Sequence, residues 1–485
     1  MIYLRELLDA SSQRIIGILE VLSVQKGWIT LTELADHVEA SERTVSADLS
    51  VLRRRWGQKL RIEISTKNGI RMGNQSTGIL GSVLLDLFND SMALNWLKEI
   101  LLHADKGTKY YEEKLFTSRS TLNRLLPKIN KVFAGQGMSI QCRNDKYRIV
   151  GDNELFLRQF FTGFMLEMYG LNLQKYDVDV DLGVLMRIIQ SVEKQNRKFW
   201  SYAMMPGNDI TDTYLMAFFV VSLVREEQGF VMASNGSEET RIAPEDLAYL
   251  KIRFPHVTKE SLCPINQFIY MIYNGWESDA EEKLVAREAE AFFERLFART
   301  HMNPSDGTRE QLCFILSSLY LTQKIRLKST SLLFDRIYYF SRSFQRSNSF
   351  LYRIIEEDLQ LFCKNVQFDV MPRLQDILFW MCRAYPELSQ YTQPKTALII
   401  SDFGTAHAAF LASVITSFFN RGDIEVLHVT ATTSADAFAS GGLNRYDMVI
   451  TTVPDLPEAH QNVILVDDYP TSENLLKIFA VLYCS

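Results

Sequence analysis

The sequence has few of the residue patterns that metal sites and disulfide frameworks require. Its six cysteines contain no CxxC pair, and its seven histidines form no HxH or HExxH pattern. A structural zinc site and a set of disulfides are therefore not expected, and free thiols fit a reducing cytoplasm. We expect no bound metal and no cofactor, with the histidines either exposed or hydrogen-bonded in the interior.

Long apolar runs, signal sequences and glycine-rich phosphate loops are also missing. The longest apolar run is Tyr214 to Val224, whose single polar residue is Ser222. Its 11 residues are too few to cross a bilayer, so the run predicts a buried helix. The first 20 residues carry charges that a signal peptide lacks, namely Arg5, Glu6, Asp9 and Arg14. The expected location is the cytoplasm, without membrane contact.

What the sequence does contain is a repeat in its first third. Shifting the chain by 77 positions places residues 41–45 (SERTV) over residues 118–122 (SRSTL). The same shift superposes three further apolar positions, Val38, Leu49 and Leu52, on Leu115, Leu126 and Ile129. Two copies of one supersecondary unit are therefore predicted.

The first copy is predicted to be a helix-turn-helix. We expect a short helix with Thr32 as its N-cap. Its apolar positions are Leu34, Ala35 and Val38. Ser41 then caps a second helix that runs to about Trp56. Two helices joined by a three-residue turn form the DNA-binding motif.

The second helix of this copy has one apolar face and one polar face. Val45, Leu49 and Leu52 recur at helical spacing and form the buried face. The opposite face is small, polar and cationic, which suits a helix that lies in the DNA major groove. The candidate DNA contacts on this helix are Arg43, Thr44, Ala47, Ser50 and Arg54.

A hairpin with a basic tip is predicted after this helix. Apolar residues alternate on both sides of Asn68-Gly69, a dipeptide typical of tight hairpin turns. The alternating residues are Leu60, Ile62 and Ile64 before the turn and Ile70 and Met72 after it. Lys67 and Arg71 make this hairpin a basic wing, and we include both among the candidate DNA contacts.

The second copy has the same layout with one departure. Leu122, Leu126 and Ile129 form its buried face, but Pro127 lies mid-helix, removes one backbone donor and should kink the helix. A second basic hairpin is predicted around Asn144-Asp145. The candidate DNA contacts of this copy are Arg119, Ser120, Arg124, Lys131, Arg143, Lys146 and Arg148.

The distribution of charge supports DNA binding. Residues 43–71 hold eight Lys/Arg against two Asp/Glu, and residues 119–148 hold seven against one. Residues 1–151 together carry 22 basic against 16 acidic side chains, whereas residues 152–485 carry 30 against 42. A basic surface neutralises phosphates and releases counterions, which supplies most non-specific affinity for DNA. The alternative for either basic run is an ordinary solvated helix face.

The middle of the chain is predicted to be all helical. From about Asp152 to Ser389, apolar residues recur at three- and four-residue spacing. A polar break at 274–278 divides this stretch into two halves, 152–276 and 277–390. One stripe is rich in aromatic residues and fits either a binding groove or packing within a core or subunit interface. Its members are Phe334, Ile337, Tyr338 and Phe340.

The last 90 residues change to alternating strands and helices. Four strands are predicted, at 396–401, 424–430, 446–451 and 462–466. The helices between them are predicted at 402–419, near Ala435 and at 472–483. Strands that alternate with helices favour a small parallel sheet.

In this order of elements the chain resembles the Mga/AtxA family of bacterial transcription regulators, to which MafR-type proteins belong. Local sequence is similar at residues 147–152 (YRIVGD), where the second wing enters the helical part. The resemblance implies a mainly α multidomain protein. Its domains are two winged helix-turn-helix domains at 1–75 and 76–151, two all-helical PRD-like domains at 152–276 and 277–390, and an EIIB-like α/β domain with a parallel sheet at 395–485.

Two departures from the parent families bear on phosphorylation. EIIB proteins carry a nucleophilic cysteine at the end of the first strand, and the matching segment here is Ser401-Asp402-Phe403-Gly404. The serine has no obvious base in the sequence, although the side chain of His407 lies six residues on. The places that match PRD histidines are Thr211 to Thr213 and Trp380, none of which is histidine. We therefore expect no enzymatic activity.

The leading hypothesis is a dimeric transcription regulator. It binds double-stranded promoter DNA through two winged helices, with readout largely by DNA shape and phosphate contacts. The alternative is a phosphotransferase-system phosphocarrier or sensor that uses the EIIB-like domain, with phosphotransferase proteins as partners. A third hypothesis is an RNA-binding antiterminator, and the helical N-terminus argues against it because those proteins begin with a β-rich module.

Overall fold

The computed structural model divides the chain into two compact units. The first unit comprises Met1–Gly275 with Leu321–Tyr339, and the second comprises Trp276–Tyr320 with Phe340–Ser485. The protein is mainly helical, with a parallel sheet near its C-terminal end. The residues described are 4–25, 27–170, 172–194, 209–232, 242–325, 332, 335–391, 395–420, 426–434, 443–454, 456 and 460–484.

The first unit begins with a helix-turn-helix and a hairpin. Its elements are α1 (Ala10–Val24), α2 (Leu31–His37), α3 (Glu42–Leu60), β1 (Ile62–Ser65) and β2 (Gly69–Met72). Ser41 caps α3 as predicted, because its hydroxyl accepts from the Thr44 N–H. The predicted cap of α2 was wrong by two residues. Thr30 is the cap, since it forms a reciprocal capping box with Glu33, and the hydroxyl of Thr32 instead donates to Glu42 at 2.6 Å.

Two further details of this region differ from the prediction. Helix α3 continues past Trp56 to Leu60, because both side chains lie on its buried face. The hairpin pairs Ser65 with Gly69, so its loop has three residues rather than an Asn68-Gly69 turn. Gly69 has φ +98°, and a Cβ there would meet the carbonyl oxygen of Ile29 at 2.2 Å. Glycine is therefore needed because the backbones approach closely.

The second copy follows two connecting helices. Its elements, in chain order, are α4 (Thr77–Asn89), α5 (Met92–Leu102), β3 (Lys106–Gly107), α6 (Thr108–Leu115), α7 (Arg119–Ala134), β4 (Met138–Arg143) and β5 (Lys146–Gly151). Helix α7 continues through Pro127 as one element. Asn144 and Asp145 form a two-residue hairpin loop, both with positive φ, as a type I′ turn requires.

The repeat extends to backbone pairing between distant residues. In the first copy an isolated bridge joins Ile29 to Ile70, and in the second β3 pairs with β5 through Lys106 and Tyr147. Each of these positions differs from its counterpart by the same 77 residues. Both copies are therefore winged helices, with a short strand before the first helix closing the wing.

The rest of the first unit is helical and shares the same apolar core. Its helices are α8 (Glu154–Tyr169), α9 (Leu182–Lys194), α10 (Asp209–Glu227), α11 (Pro244–Arg253) and α12 (Lys259–Asn274). The run from Tyr214 to Val224 is buried throughout, as predicted. Residues 195–200, where the sequence extends helix α9, lie outside the described residues. In the described parts of the chain, no helix is both long enough and apolar enough to cross a membrane.

A later segment of the chain packs back onto the first unit. The Leu332 N–H donates to Glu167 at 2.7 Å, and the Tyr339 hydroxyl donates to Glu20 at 3.1 Å. The sequence placed both residues in a domain spanning 277–390. The five-domain division remains a prediction, and the two-unit grouping is set by these long-range contacts.

The second unit contains helices and then the parallel sheet. Its helices are α13 (Asp279–Thr300), α14 (Asp306–Lys324), α15 (Arg336–Ser347), α16 (Ser349–Val366) and α17 (Leu374–Ala384), of which α14 and α15 each cross the boundary between units. The α/β part comprises β6 (Lys395–Ser401), α18 (Thr405–Phe419), β7 (Leu427–Ser434), β8 (Met448–Thr451), β9 (Val463–Leu465) and α19 (Ser472–Cys484).

The sheet has the parallel arrangement that the sequence predicted. Its strand order is β7-β6-β8-β9, and every described pairing is parallel. The central strand β6 is buried from Ala397 to Ser401, as expected for a strand covered on both faces. The helix predicted near Ala435 and the first residues of the second predicted strand lie outside the described residues.

The predicted aromatic stripe is only partly a packing surface. Phe340 packs on Phe379, with their ring centres 5.3 Å apart, whereas Tyr338 is exposed. Phe334 lies outside the described residues. The stripe is therefore not one continuous buried face among the residues that the structure describes.

Candidate nucleic-acid interface

Helix α3 is held in a defined orientation by polar contacts on its inner side. The buried carboxylate of Asp48 accepts from the Ser11 hydroxyl at 2.7 Å and from the Arg14 guanidinium at 2.8 Å. The indole N–H of Trp56 donates to Asp86 of α4 at 2.8 Å. These bonds attach α3 to α1 and α4, so its outer face points in a fixed direction.

The outer face of α3 presents cations that no other part of the protein uses among the described residues. Arg43, Ala47, Ser50 and Arg54 are all exposed there. Within the same residues, neither Arg43 nor Arg54 has a hydrogen bond or an ion pair. The hydroxyls are less available, because Ser50 donates to the Ser46 carbonyl and Thr44 is bonded to Ser41. The two guanidiniums are therefore the strongest donors on this face.

Helix α7 presents an equivalent face. The positions 77 residues beyond those of α3 are Ser120, Arg124, Pro127 and Lys131. Ser120, Arg124 and Lys131 are exposed, and Pro127 is half-buried. The Arg124 and Lys131 cations make no hydrogen bond or ion pair with any described residue. Pro127 stands where α3 has Ser50, so this face carries one hydrogen-bonding side chain fewer. The Ser120 hydroxyl is bonded to Ser118 at 2.9 Å.

Helix α7 is also fixed from behind. The side-chain amide of Asn130 bonds both backbone groups of Ile140 in β4, at 3.0 and 2.7 Å. Lys128 donates to the Leu8 carbonyl at 2.7 Å, and the Arg119 N–H donates to Glu112 of α6 at 2.5 Å. The second reading helix is thereby attached to its wing, to its partner helix and to the start of the chain.

Asp145 connects the tip of the second wing to the first helix of the motif. Its carboxylate accepts from the Thr108 hydroxyl at 2.5 Å and from the Thr108 N–H at 3.2 Å. The hydroxyl bond from Thr108 is the main reason why the pKa of Asp145 lies below its ordinary value. The Arg119 guanidinium lies 3.5 Å from the same carboxylate and is still 66% exposed. Arg119 is thus partly neutralised within the protein.

The basic residues of the wings fall into two groups. Lys67, Arg143 and Lys146 are exposed at the tips and have no ion-pair partner in the described part of the chain. Arg71 instead reaches both carboxylate oxygens of Glu63 at 2.8 Å, and Arg148 bonds Asp105 at 2.9 and 2.7 Å. DNA contact by Arg71 and Arg148 remains a prediction, and their internal partners show that both also hold the hairpins.

Sequence reasoning missed two exposed residues of this region. Arg53 lies next to Arg54 on α3, is exposed, and has no ion pair within the described residues. The run Arg53-Arg54-Arg55 was the available signal, although Arg55 itself pairs with Asp90 at 2.6 Å. Phe116 ends helix α6 with φ +50° and is 96% exposed, while its counterpart in the first copy, Glu39, has φ +51°.

The C-terminal domain corrects one expectation. The sequence offered no obvious base for Ser401, but its Oγ lies 2.7 Å from Nδ1 of His407, because the first turn of α18 returns that ring to the loop. His407 Nε2 lies 2.9 Å from the carbonyl of Asp468, which only accepts, so Nε2 carries the proton and Nδ1 accepts from Ser401. The Ser401 side chain is fully buried, however. Within the described residues, no group of three or more His, Cys, Asp or Glu is placed to hold a metal ion.

Comparison with known proteins bears on the second copy. A family model described as the Mga helix-turn-helix domain matches residues 80–165, from α4 through the second winged helix into α8. The chain is similar to a protein of Streptococcus pneumoniae serotype 4 named as a putative trans-acting regulator, with 30% identity over 166 residues, 34% of this chain and 33% of the relative. It is also similar to the capsule synthesis positive regulator AcpA of Bacillus anthracis, with 23% identity over 162 residues and 33% of each chain. The aligned stretch spans about a third of each relative.

Proposed function

We propose that this chain, which belongs to the Mga/AtxA family of regulators, is a transcriptional regulator that holds double-stranded promoter DNA through two winged helices. One observation carries the proposal. Two helices, 77 residues apart in sequence, each present two cations on an exposed face. These cations have no partner among the described residues. An exposed cation without an internal partner is available to a phosphate or a base edge.

The geometry favours recognition of the DNA backbone over recognition of bases. Each reading face offers few groups that can bind a base edge in two places, and the cations at the wing tips lie where phosphates are expected. Binding should therefore depend largely on DNA shape and bendability. A footprint confined to one strict motif, with a specificity ratio above roughly 10⁵, would contradict this part of the proposal.

A salt titration of the full-length protein tests DNA binding itself. We expect the logarithm of the binding constant for duplex DNA to fall linearly with the logarithm of salt concentration, with a slope of about −0.9 for each phosphate that the protein binds. Isolating and mapping bound chromosomal DNA from cells would then identify the promoters. A folded protein without affinity for duplex DNA at low salt would remove the proposal.

We further propose that the regulator is a homodimer, with contacts from the second half of the chain. Paired binding heads raise each other's effective concentration on DNA. Exposed large apolar side chains are frequent in the α/β part, which is consistent with a covered surface there. They include Phe403, Phe410, Phe418, Tyr469, Leu476 and Phe479. Sedimentation of the full chain and of a chain ending at Gln390 tests this, since full dimerisation of the shorter chain at low micromolar concentration would exclude an essential role for the α/β part.

One observation favours the phosphocarrier alternative. His407 is placed to remove the Ser401 proton, which is the arrangement of an activated nucleophile. Two observations oppose it: Ser401 is fully buried, and the adjacent Asp402 would repel a phosphoryl group. Incubation with phosphoenolpyruvate and the general phosphotransferase proteins, followed by intact mass measurement, decides between them. We expect no adduct of about 80 Da, the mass that one phosphoryl group adds. An adduct that disappears in Ser401→Ala would establish the alternative.

A further inference from the structure

The end of helix α10 reaches the base of the second wing. Arg225 is fully buried and donates to both carboxylate oxygens of Glu154, at 2.9 and 2.7 Å. The same guanidinium donates to the carbonyl of Ile149, in strand β5 of the wing, at 3.2 Å. It also lies 3.5 Å from the centre of the Phe230 ring. One side chain of the helical region therefore contacts a wing strand and the residue that opens α8.

A second buried arginine completes an ion cluster. Arg158 of α8 is fully buried, bonds Glu154 at 3.0 Å and bonds Glu226 at 2.6 Å. It also donates to the Phe230 carbonyl at 2.7 Å. Two guanidiniums are thus matched by two carboxylates. Buried charges are tolerated only when they are paired and hydrogen-bonded, so each member depends on the position of the others.

Neighbouring residues attach the second winged helix at further points. The side-chain amide of Gln228 donates to the carbonyls of Leu101 and Leu102, at the end of α5, at 2.9 and 3.0 Å. On the wing side, the Arg148 guanidinium lies 5.7 Å from the centre of the Phe230 ring. Residues 225–230 therefore hold the second winged helix at two places, β5 and α5.

The first winged helix lacks the matching residues. Positions 77 residues before Ile149, Glu154 and Arg158 are Met72, Thr77 and Gly81, none of which is ionisable. The ion cluster is therefore specific to the second copy and is not part of the repeated fold. A feature added to one of two otherwise similar units calls for a role that the unit does not need for folding alone.

We propose that Arg225 and Glu154 are positioning residues that set the second wing for DNA, so that the helices after it control the wing through this ion cluster. The inference rests on the proposed function, because it assigns a controlling contact to one of the two DNA-binding units. Arg225 has no role as a DNA contact here, since it is fully buried. It acts through strand β5, whose other end carries Lys146 at the tip.

Hydrogen exchange of the full-length protein tests the attachment without DNA. In Arg225→Met, which keeps most of the side-chain volume and removes the charge, we expect the amides of residues 138–151 to exchange faster by roughly tenfold. The amides of residues 62–72, in the first wing, should not change. Arg187→Met is the matched control, because Arg187 pairs with the buried carboxylate of Asp246 at 2.7 Å and lies elsewhere in the unit.

A double-mutant cycle on DNA then tests the positioning role. Replacing Arg143 and Lys146 by Ala should lower the salt slope of binding by about two units in the wild-type background, one for each phosphate that these two side chains bind. In the Arg225→Met background the same pair of substitutions should change the slope by less than about one unit. A merely structural effect of Arg225 would leave the two changes additive.

The possible outcomes separate the two proposals. Unchanged exchange at 138–151 in a folded Arg225→Met protein, or additive effects in the cycle, overturns the inference. If Arg225→Met does not fold, Gln228→Ala and Phe230→Ala are measured in the same two assays, with the same results expected. If the wild-type protein does not bind duplex DNA at all, the proposed function fails, and the exchange experiment still decides whether the ion cluster holds the wing.

Discussion

In the first winged helix, Arg71 forms its salt bridge with Glu63 inside the hairpin, whereas the equivalent Arg148 of the second bonds Asp105 outside its hairpin. Both arginines occupy the same place in the repeat. The first wing is therefore stabilised by its own strands, and the second depends on its surroundings. Two units with one backbone plan can thus differ in how independently their wings are placed.

The reading helices differ in a related way. Helix α3 offers two guanidiniums, Arg43 and Arg54, while α7 offers Arg124 and the ammonium of Lys131, with Pro127 between them. A guanidinium can bind a guanine edge in two places, and an ammonium is a point charge. We infer that the first helix discriminates more between sequences and that the second mainly binds phosphates.

The largest effect is expected from the first reading helix. Replacing Arg43 and Arg54 by Ala should weaken binding by about 1–3 kcal/mol for each base edge that these side chains bind, and should reduce the preference between sequences. Fluorescence anisotropy with a promoter duplex and a scrambled duplex measures both. Lys283→Ala with Lys364→Ala is the control, since it removes two exposed cations from the second unit. Unchanged binding by a folded double variant would remove α3 from the interface.

A smaller and less selective effect is expected from the second reading helix. Replacing Arg124 and Lys131 by Ala should lower the salt slope by about one unit for each phosphate that they bind. The ratio of affinities for the promoter and scrambled duplexes should stay nearly constant. The same titrations measure it. If this pair changed the ratio more than the Arg43 and Arg54 pair does, the assignment of the two helices would have to be exchanged.

Within the first wing, two cations should behave differently. Lys67→Ala should lower the salt slope by about one unit, because Lys67 has no ion pair among the described residues. Arg71→Ala should leave the slope nearly unchanged and cost at most about 1 kcal/mol of stability, since its partner Glu63 is exposed. Salt titration and chemical unfolding separate these results. Equal slopes for the two variants would mean that Arg71 leaves Glu63 to bind DNA.

The smallest effect concerns pH. Because the folded pKa of Asp145 is lowered, its contribution to stability is fully present above the ordinary value of 3.8 and is lost as pH falls through the folded pKa. Neutral pH should therefore show no change, and the second wing should loosen before the first only in strong acid. Hydrogen exchange of both hairpins during acid titration checks this. In Asp145→Asn, the difference between the two wings at acid pH should disappear.

Much of the fold and half of the site could be predicted from the sequence. The caps Ser41 and Ser118, the buried faces of α3 and α7, and the two hairpins depend on residues three or four positions apart or on adjacent residues. Such local relations are visible in one dimension. The repeat raised their weight, because two copies carried the same signals at a fixed offset.

The errors had local causes as well. Thr30 rather than Thr32 caps α2 because the partner that decides the cap is Glu33, three residues from Thr30. Gly69 was assigned to a turn, whereas its positive φ serves the close approach of Ile29. In both cases the residue type was recognised and the group that it meets was not.

By itself, the sequence determined the repeat, the reading faces and the parallel sheet, since periodicity and capping are short-range effects. Only the tertiary structure decided which charges are free and which are used. Arg148 meets a carboxylate 43 residues away and Arg225 one that is 71 residues away, and Ser401 meets its histidine through a turn of the backbone. The energy of a charge depends on its burial and its partner, and both are set by packing between distant parts of the chain.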